Sequence, residues 1–263
     1  MSPRIARLDS RALIRVSGPD ARPFLHNLLT QDVETLAEGE LRFGGLLSPP
    51  GRLLFDLFLL GEADGVLLDV AADRRDALLQ RLSMYKLRAQ VAVEADDRLV
   101  YASWPDVTDD FTPDPRTPGL GGRRYGGAVE PNATEADWQA HRLALGVPDP
   151  VADALPDKTY PIEANFDLLN GIDFQKGCFV GQETTSRMKR RGSIKNRMLP
   201  LAFDGPPPPF GAEVLNGDLR AGEVLSGMDG AAMALLRLDR LDGQLTVEGR
   251  PVEVRWPDWF PAD

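Results

Sequence analysis

The strongest chemical signal in this sequence is its single cysteine, Cys178, in the segment KGCFVGQE that runs from Lys176 to Glu183. Gly177 and Gly181 lie on either side of it and allow the backbone to approach another group closely. We predict that a helix begins at or near Gly181. A helix N-terminus and a neighbouring ammonium group both stabilise a thiolate, so the segment predicts a reactive or ligating sulfur. The alternative is a buried cysteine that packs as a small apolar side chain.

A basic stretch follows the cysteine, and residues 184–198 contain no acidic residue. Its basic residues are Arg187, Lys189, Arg190, Arg191, Lys195 and Arg197. Gly192 is predicted to end the helix, which keeps this charge beside the cysteine. The stretch predicts an anion site for a carboxylate tail, a phosphate or an acidic partner. A solvated helix face is the alternative.

Composition excludes several classes of function. The 263 residues carry a net charge of −10, so general nucleic-acid binding is not expected. One cysteine cannot form an intramolecular disulfide, and with two histidines a Cys/His zinc site is not expected either, so we predict no metal ligands. No apolar run reaches the roughly 18 residues of a membrane span, and the N-terminus does not resemble a signal peptide. We therefore expect a cytoplasmic protein without a membrane partner.

The elements that must position the cysteine indicate an α+β fold. A hairpin is predicted over residues 41–60, and Thr134 with Asp137 resembles the capping box of a helix. Residues 105–127 are rich in Pro, Asp and Gly and are interpreted as a connection. From about residue 195, Asn-Gly and Asp-Gly pairs separate short apolar segments, which is typical of a small antiparallel barrel. We predict an α+β region over 1–195 and a β-barrel over 196–263.

The segment KGCFVGQE resembles the signature of the YgfZ family, tetrahydrofolate-binding proteins of iron–sulfur cluster maturation. That family is related to the T-protein of glycine cleavage, an aminomethyltransferase. Further matches extend along nearly the whole chain; they are Gly18–Ala21, Leu29–Val33, Pro50–Arg52 with Asp56, Tyr85–Leu87, Gly146–Pro148 and Pro161–Asn165. The resemblance implies three small modules around a central hole that holds folate, the last module being a β-barrel.

The resemblance also implies roles for individual residues. Lys176 and Cys178 match the positions tied to activity in the family. Gln182 and Glu183 would fix the loop or hydrogen-bond a pterin edge, and helix capping is the alternative for both. Trp138 matches a tryptophan that lines the folate site, with core packing as its alternative.

Two further residues complete the predicted folate site. A folate carries an anionic glutamate tail, so its site needs a cation, and we assign Arg187 to that role. Asp56 is predicted to face the pocket; its alternative is a polar residue at the end of a strand.

The sequence departs from the relatives at three positions. Arg11 stands where the family has a second tryptophan, and Ala144 stands where the T-protein has an acidic residue that contacts the pterin. The paired aspartates of the T-protein are represented by Phe55-Asp56. These differences argue against aminomethyl transfer from a lipoyl carrier.

The leading hypothesis is a tetrahydrofolate-binding accessory factor that uses Cys178, supported by Lys176, in assembling or repairing iron–sulfur clusters. Its partners would be client enzymes and the assembly machinery. A single cysteine cannot hold a conventional four-ligand cluster alone. The sulfur's role as cluster ligand, folate-adduct nucleophile or redox thiol is left open, as is turnover of a substrate. The alternatives are a folate-dependent one-carbon transferase and a protein-binding scaffold without folate.

Overall fold

The computed structural model describes residues 3–154, 157–192 and 194–261. Its strands are β1 (Arg4–Arg7), β2 (Arg11–Ser17), β3 (Leu41–Leu47), β4 (Leu53–Glu62), β5 (Gly65–Ala71), β6 (Ala92–Asp96), β7 (Val100–Trp104), β8 (Thr112–Pro113), β9 (Gly122–Tyr125), β10 (Asn196–Ala202), β11 (Glu213–Asn216), β12 (Leu219–Met228), β13 (Ala231–Arg237), β14 (Leu245–Val247) and β15 (Arg250–Val254). Its helices are α1 (Ala21–Leu28), α2 (Arg75–Tyr85), α3 (Glu135–Ala144), α4 (Pro150–Asp153) and α5 (Gln182–Arg191).

The first module is a five-stranded antiparallel sheet in the order β3-β4-β5-β2-β6. Strand β4 is apolar along nearly its whole length because both faces of the sheet are covered. Leu57 and Leu59 lie in the core that includes residues of α1 and α2. Phe58 lies in a second core, on the side of the other modules. Side chains alternate along a strand, so Asp56 is on the same face as Phe58 and is directed between the modules.

The second module is a smaller antiparallel sheet in the order β1-β7-β9-β8, against which α3 packs. The predicted capping box is confirmed: Thr134 Oγ1 accepts from the backbone N–H of Asp137, and the Asp137 carboxylate accepts from that of Thr134. The cap fixes where α3 begins. Trp138 and Leu143 then fall on the buried side of the helix.

The third module is a closed antiparallel barrel of β10-β13-β12-β11-β14-β15. Closure removes unpaired sheet edges, and the barrel has its own core of Leu, Val and Ala side chains. The predicted α+β fold with a C-terminal antiparallel barrel is therefore confirmed. No helix in the described part of the chain is long and apolar enough to span a membrane. The cytoplasmic setting stays a prediction.

The interpretation of residues 105–127 as a connection was wrong, because this segment contributes β8 and β9 to the second sheet. Strand β9 pairs with β7, from Val100 opposite Tyr125 to Ser103 opposite Gly122. The segment shows no apolar alternation because ion pairs, rather than apolar contacts, bury its charged side chains.

Asp20 directly precedes α1 but does not cap it. Helix α1 begins at the next residue, but the Asp20 carboxylate makes no capping bond and instead accepts from the backbone N–H of Gln90 at 2.7 Å.

Candidate functional site: the cysteine loop and the central cavity

Cys178 is exposed on the loop that leads into α5. The loop needs glycine on both sides of the cysteine: Gly177 has φ +100° and Gly181 has φ +80°. At Gly181 space is also limiting, since a Cβ there would lie 2.8 Å from Gly51 Cα and 2.8 Å from the carbonyl oxygen of Ser48. The β3–β4 turn thus packs directly against the start of α5. This contact connects the Pro50–Arg52 motif to the cysteine signature.

Gln182 braces the loop from the helix side. Its side-chain Nε2 donates to the carbonyl oxygen of Gly177 at 2.9 Å, and its backbone N–H donates to that of Phe179 at 3.2 Å. Glu183 is exposed in the first turn of α5, where a negative charge suits the helix dipole. Neither side chain contacts the central cavity described below.

Lys176 ties the other end of the loop to α1. Its ammonium donates to the carbonyl of His26, which lies in the last turn of α1 and has no partner within the helix. The His26 ring in turn contacts the backbone of Lys176, with Nε2 3.0 Å from the carbonyl oxygen. Phe179 covers the ammonium, with Nζ 5.2 Å from the ring centre. Lys176 therefore caps α1 and holds the cysteine loop in place.

The electrostatic setting of Lys176 is mixed. Burial lowers the pKa of its ammonium, while the nearby carboxylates of Asp32 and Asp173 act in the opposite direction. Asp32 also lies beside His26, with Oδ1 3.0 Å from Nδ1. His26 was not among the predicted site residues. Sequence spacing could not reveal it, because 150 positions separate it from Lys176.

The basic stretch divides into structural and exposed charges. Lys189 and Arg197 converge on the buried carboxylate of Asp167, which is 3.0 Å from Lys189 Nζ. Burial opposes ionisation of that carboxyl, but the hydrogen bonds and positive charges of Arg197 and Lys189 together outweigh it and lower the pKa of Asp167. This contact fixes α5 to the barrel strand β10. Arg187 is exposed and makes no ion pair within the described residues.

The central cavity lies between the first two modules and α4. Asp56 and Trp138 line it, together with charged and apolar residues of all three sides. The other lining residues are Leu8, Ser10, Arg11, Phe58, Arg116, Arg123, Glu135, Gln139, Arg142, Asp149 and Pro150. The cavity volume is about 20 Å³. That is room for about one water molecule.

Arginine–aspartate pairs fill this region. Arg11 pairs with Asp56 at 2.8 Å and with Asp69 at 2.6 Å, and Arg123 pairs with Asp69 at 2.8 Å. The chain of contacts continues from Arg123 to Asp114, at 3.2 Å. All five side chains are buried. Arg123 also lies over the Phe58 ring, 3.6 Å from its centre.

The pKa shifts agree with a network whose members are charged. Burial disfavours the charged form of the Arg11 guanidinium, but the carboxylates of Asp56 and Asp69 favour it and raise its pKa above the ordinary arginine value. Burial likewise opposes ionisation of Asp114, and Arg116 with Arg123 lowers its pKa below the ordinary value. Within the described residues, every fully buried side-chain N or O atom has a hydrogen-bond partner. The network therefore presents no unsatisfied buried group that calls for a ligand.

Trp138 belongs both to the cavity lining and to the packed core. Its ring lines the cavity and also packs edge-on against Trp104, with 5.6 Å between ring centres. It is 3% exposed, so packing accounts for most of its surface.

The structure thus separates the predicted site into two regions. We call Lys176–Gln182 with the exposed side chains of α5 the signature surface; it holds Cys178, Lys176, Gln182, Glu183 and Arg187. Asp56 and Trp138 belong to the central cavity, whose lining includes no residue of the signature surface. Sequence reasoning missed Asp114, Arg116 and Arg123 because their segment was interpreted as a connection.

Comparison with known proteins agrees with this architecture. Residues 195–262 match the family model described as the CAF17 C-terminal beta-barrel domain. The chain is 34% identical to the mitochondrial iron–sulfur cluster assembly factor IBA57 of Mus musculus, over 97% of this chain and 85% of that protein. The Homo sapiens protein of the same name is 33% identical, with the same coverage.

The fold is shared with a solved structure as well. The crystal structure of the glycine cleavage system aminomethyltransferase T from Bartonella henselae has a TM-score of 0.80, covering 98% of this chain and 86% of that one. Sequence identity to it is 19%, so this likeness establishes the fold alone. The resemblance inferred from KGCFVGQE is confirmed by the closer sequence relatives: the chain belongs to the IBA57/YgfZ family.

Proposed function

We propose that this chain is an iron–sulfur cluster assembly factor and that its working group is the thiol of Cys178. The observation that carries the proposal is an exposed sulfur on a loop that is held from both sides. Lys176 contacts the end of α1 on one side, and Gln182 of α5 contacts the loop on the other. Relatives that carry the name of iron–sulfur cluster assembly factor support the same role.

The chemistry is ligand exchange on a cluster brought by a partner. Thiolates are the protein ligands of iron–sulfur clusters, and one cysteine supplies one of the four that are needed. No His, Cys, Asp or Glu cluster that could hold a metal ion is present in the described part of the chain. Cys178 would lose its proton and form an iron–sulfur bond, while a partner thiolate leaves the iron and takes up a proton. No electron is transferred in this step.

Lys176 acts as a positioning residue in this proposal. Its ammonium is engaged with the His26 carbonyl, so its contribution is to hold the loop that presents Cys178. Client enzymes and the assembly machinery are the partners that this chemistry requires.

The proposal includes no resident tetrahydrofolate. Ligand pockets for molecules of this size span roughly 300–1,000 Å³, whereas the central cavity has a volume of about 20 Å³. The Arg11 guanidinium occupies the position at which the family has a tryptophan, and Asp56 is already paired with it. The residues present do not fit a folate, and no step is assigned to one. The same pairing and the alanine at position 144 weigh against aminomethyl transfer.

The test is rescue of an iron–sulfur enzyme in cells that lack their own homologue. The wild-type protein should restore the activity of the iron–sulfur enzyme. It should not change the activity of a control enzyme that requires no cluster. Cys178→Ser should fail to rescue while it keeps the wild-type unfolding midpoint.

A relocated thiol provides the matched control. The double variant Cys178→Ser/Ser83→Cys keeps one exposed thiol but places it on α2, where residue 83 is exposed. It should behave as Cys178→Ser does. Full rescue by Cys178→Ser itself would overturn the proposal and favour a scaffold that works without the sulfur.

A further inference from the structure

The exposed half of the basic stretch lies on and just beyond α5, the helix that follows the cysteine loop. Arg187 and Arg190 are three residues apart on α5 and lie on the same side of the helix. Both are exposed, and Lys195 is exposed just beyond the helix end. Among the described residues, none of these three side chains lies within 4.0 Å of a carboxylate. Arg190 donates only to a carbonyl of its own helix, that of Ser186.

This face differs from three arginines elsewhere on the chain that are exposed or partly exposed and are paired. Arg7, Arg15 and Arg237 each pair with a nearby aspartate, as expected in a protein with net charge −10. Lys189 and Arg197, from the same basic stretch, are used to hold α5 on the barrel. On α5, by contrast, Arg187 and Arg190 are exposed and make no ion pair among the described residues.

We infer that this face of α5 is a docking surface for an acidic protein that presents thiolate-bound iron to Cys178. The inference rests on the proposed function and adds the chemical character of the partner. The positive charge of this face is complementary to an acidic surface on the partner. A polyanionic nucleic acid is disfavoured, because the rest of this acidic chain would repel it.

The distances along α5 fit within a single protein–protein interface. With a rise of about 1.5 Å per residue, Arg187 lies roughly 8 Å and Arg190 roughly 12 Å along the axis from the first residue of α5. Both fall within the footprint of a typical interface, about 800 Å² per partner, that also covers the cysteine loop. Glu183 is exposed near the helix start, so the partner's acidic groups are expected to meet the C-terminal half of α5.

The experiment measures the rate at which Cys178 attacks activated cysteine peptides. One short peptide carries its cysteine among glutamates and the other among lysines, each as a disulfide with 2-thiopyridine. The Cys178 thiolate forms a disulfide with the peptide and pyridine-2-thione leaves, so its absorbance reports the rate. Each rate is divided by the rate at which a small neutral thiol attacks the same peptide. This ratio removes any difference in intrinsic reactivity between the two peptides.

The wild type should favour the acidic peptide by about tenfold at low ionic strength. The preference should disappear at high salt and in Arg187→Glu/Arg190→Glu. The control Arg88→Glu/Arg255→Glu introduces the same charge change at exposed positions away from α5 and should retain it. Equal rates for both peptides on wild type, or a preference that survives in the α5 variant, would overturn the inference.

Two further readouts separate the possible failures. The peptide assay needs no cluster, so loss of the charge preference with intact Cys178-dependent rescue in cells would reject only the docking surface. Binding of single-stranded DNA at physiological salt that is lost in the α5 variant would instead identify a nucleic-acid surface and would also overturn the inference.

Discussion

The central cavity and the signature surface use charge in opposite ways. In the cavity, buried guanidinium groups face carboxylates at 2.6–3.2 Å and fill the space between modules. On the signature surface, Arg187 and Arg190 face solvent beside an exposed sulfur. The difference supports the proposal that this T-protein-like architecture uses its centre for packing and its surface for chemistry.

The energetic consequences of the two arrangements also differ. A buried ion pair contributes little compared with apolar packing, yet removal of one partner leaves a buried charge uncompensated and is strongly destabilising. Exposed, unpaired charges contribute little to stability. Substitutions of the paired cavity residues should therefore affect folding, and substitutions of the exposed, unpaired side chains of the signature surface should affect function.

The largest expected effect is at Asp69, which accepts from Arg11, Arg123 and Tyr125. We expect Asp69→Asn to lower the free energy of unfolding by about 3–5 kcal/mol, because two buried guanidinium groups each lose one of their two carboxylate partners. Urea unfolding measures this loss. The control is Asp64→Asn, an exposed partner of Arg15, which should change stability by less than about 1 kcal/mol. Equal effects at both positions would contradict the contrast between the regions.

The next effect is at Gly181. We expect Gly181→Ala to cost about 2–3 kcal/mol, since a Cβ adds a clash with the β3–β4 turn to the strain of a positive φ. Gly177→Ala is the matched variant, because its φ is also positive but nothing lies within 4 Å of the new Cβ. It should cost about 1 kcal/mol. A similar loss for both would mean that the packing against the turn is unimportant.

Acid should destabilise the protein through Asp167, beneath the signature surface. Its pKa is lowered in the folded state, so its stabilising effect is fully present above the unfolded value, about pH 3.9, and is lost as pH falls through the folded value. Asp167→Asn should be less stable near neutral pH and should lack this acid-dependent component. The slopes of unfolding free energy against pH should differ by up to about 1.4 kcal/mol per unit below pH 4. Parallel slopes would exclude Asp167 as the source.

The smallest expected effect is at Lys176. Lys176→Met removes the cation from the C-terminal end of α1 and should cost about 0.3–1 kcal/mol. A double-mutant cycle with His26→Ala measures the coupling of the two side chains, which contact each other's backbone carbonyls. Additive losses would show that the two contacts do not act together.

Sequence reasoning reached the parts of the molecule that depend on local patterns. The capping box at Thr134, the glycines that bound α5 and the turn-rich barrel are each encoded within a few residues. The contact of Lys176 with His26 joins residues 150 positions apart and has no local pattern. The cavity network was missed for a related reason: Arg123 lies in β9 and Asp114 directly follows β8, in a segment whose burial depends on ion pairs rather than on apolar alternation.

The central claim is that the chemistry belongs to the cysteine loop and that the cavity between the modules is closed to a folate. Titration of tetrahydrofolate into the wild-type protein by calorimetry tests it most directly. We predict no saturable heat, because the Arg11 and Arg123 side chains are packed and paired in the central cavity. Micromolar binding that is weakened by Trp138→Phe and retained by Cys178→Ser would contradict the account and would restore the cavity as a folate site.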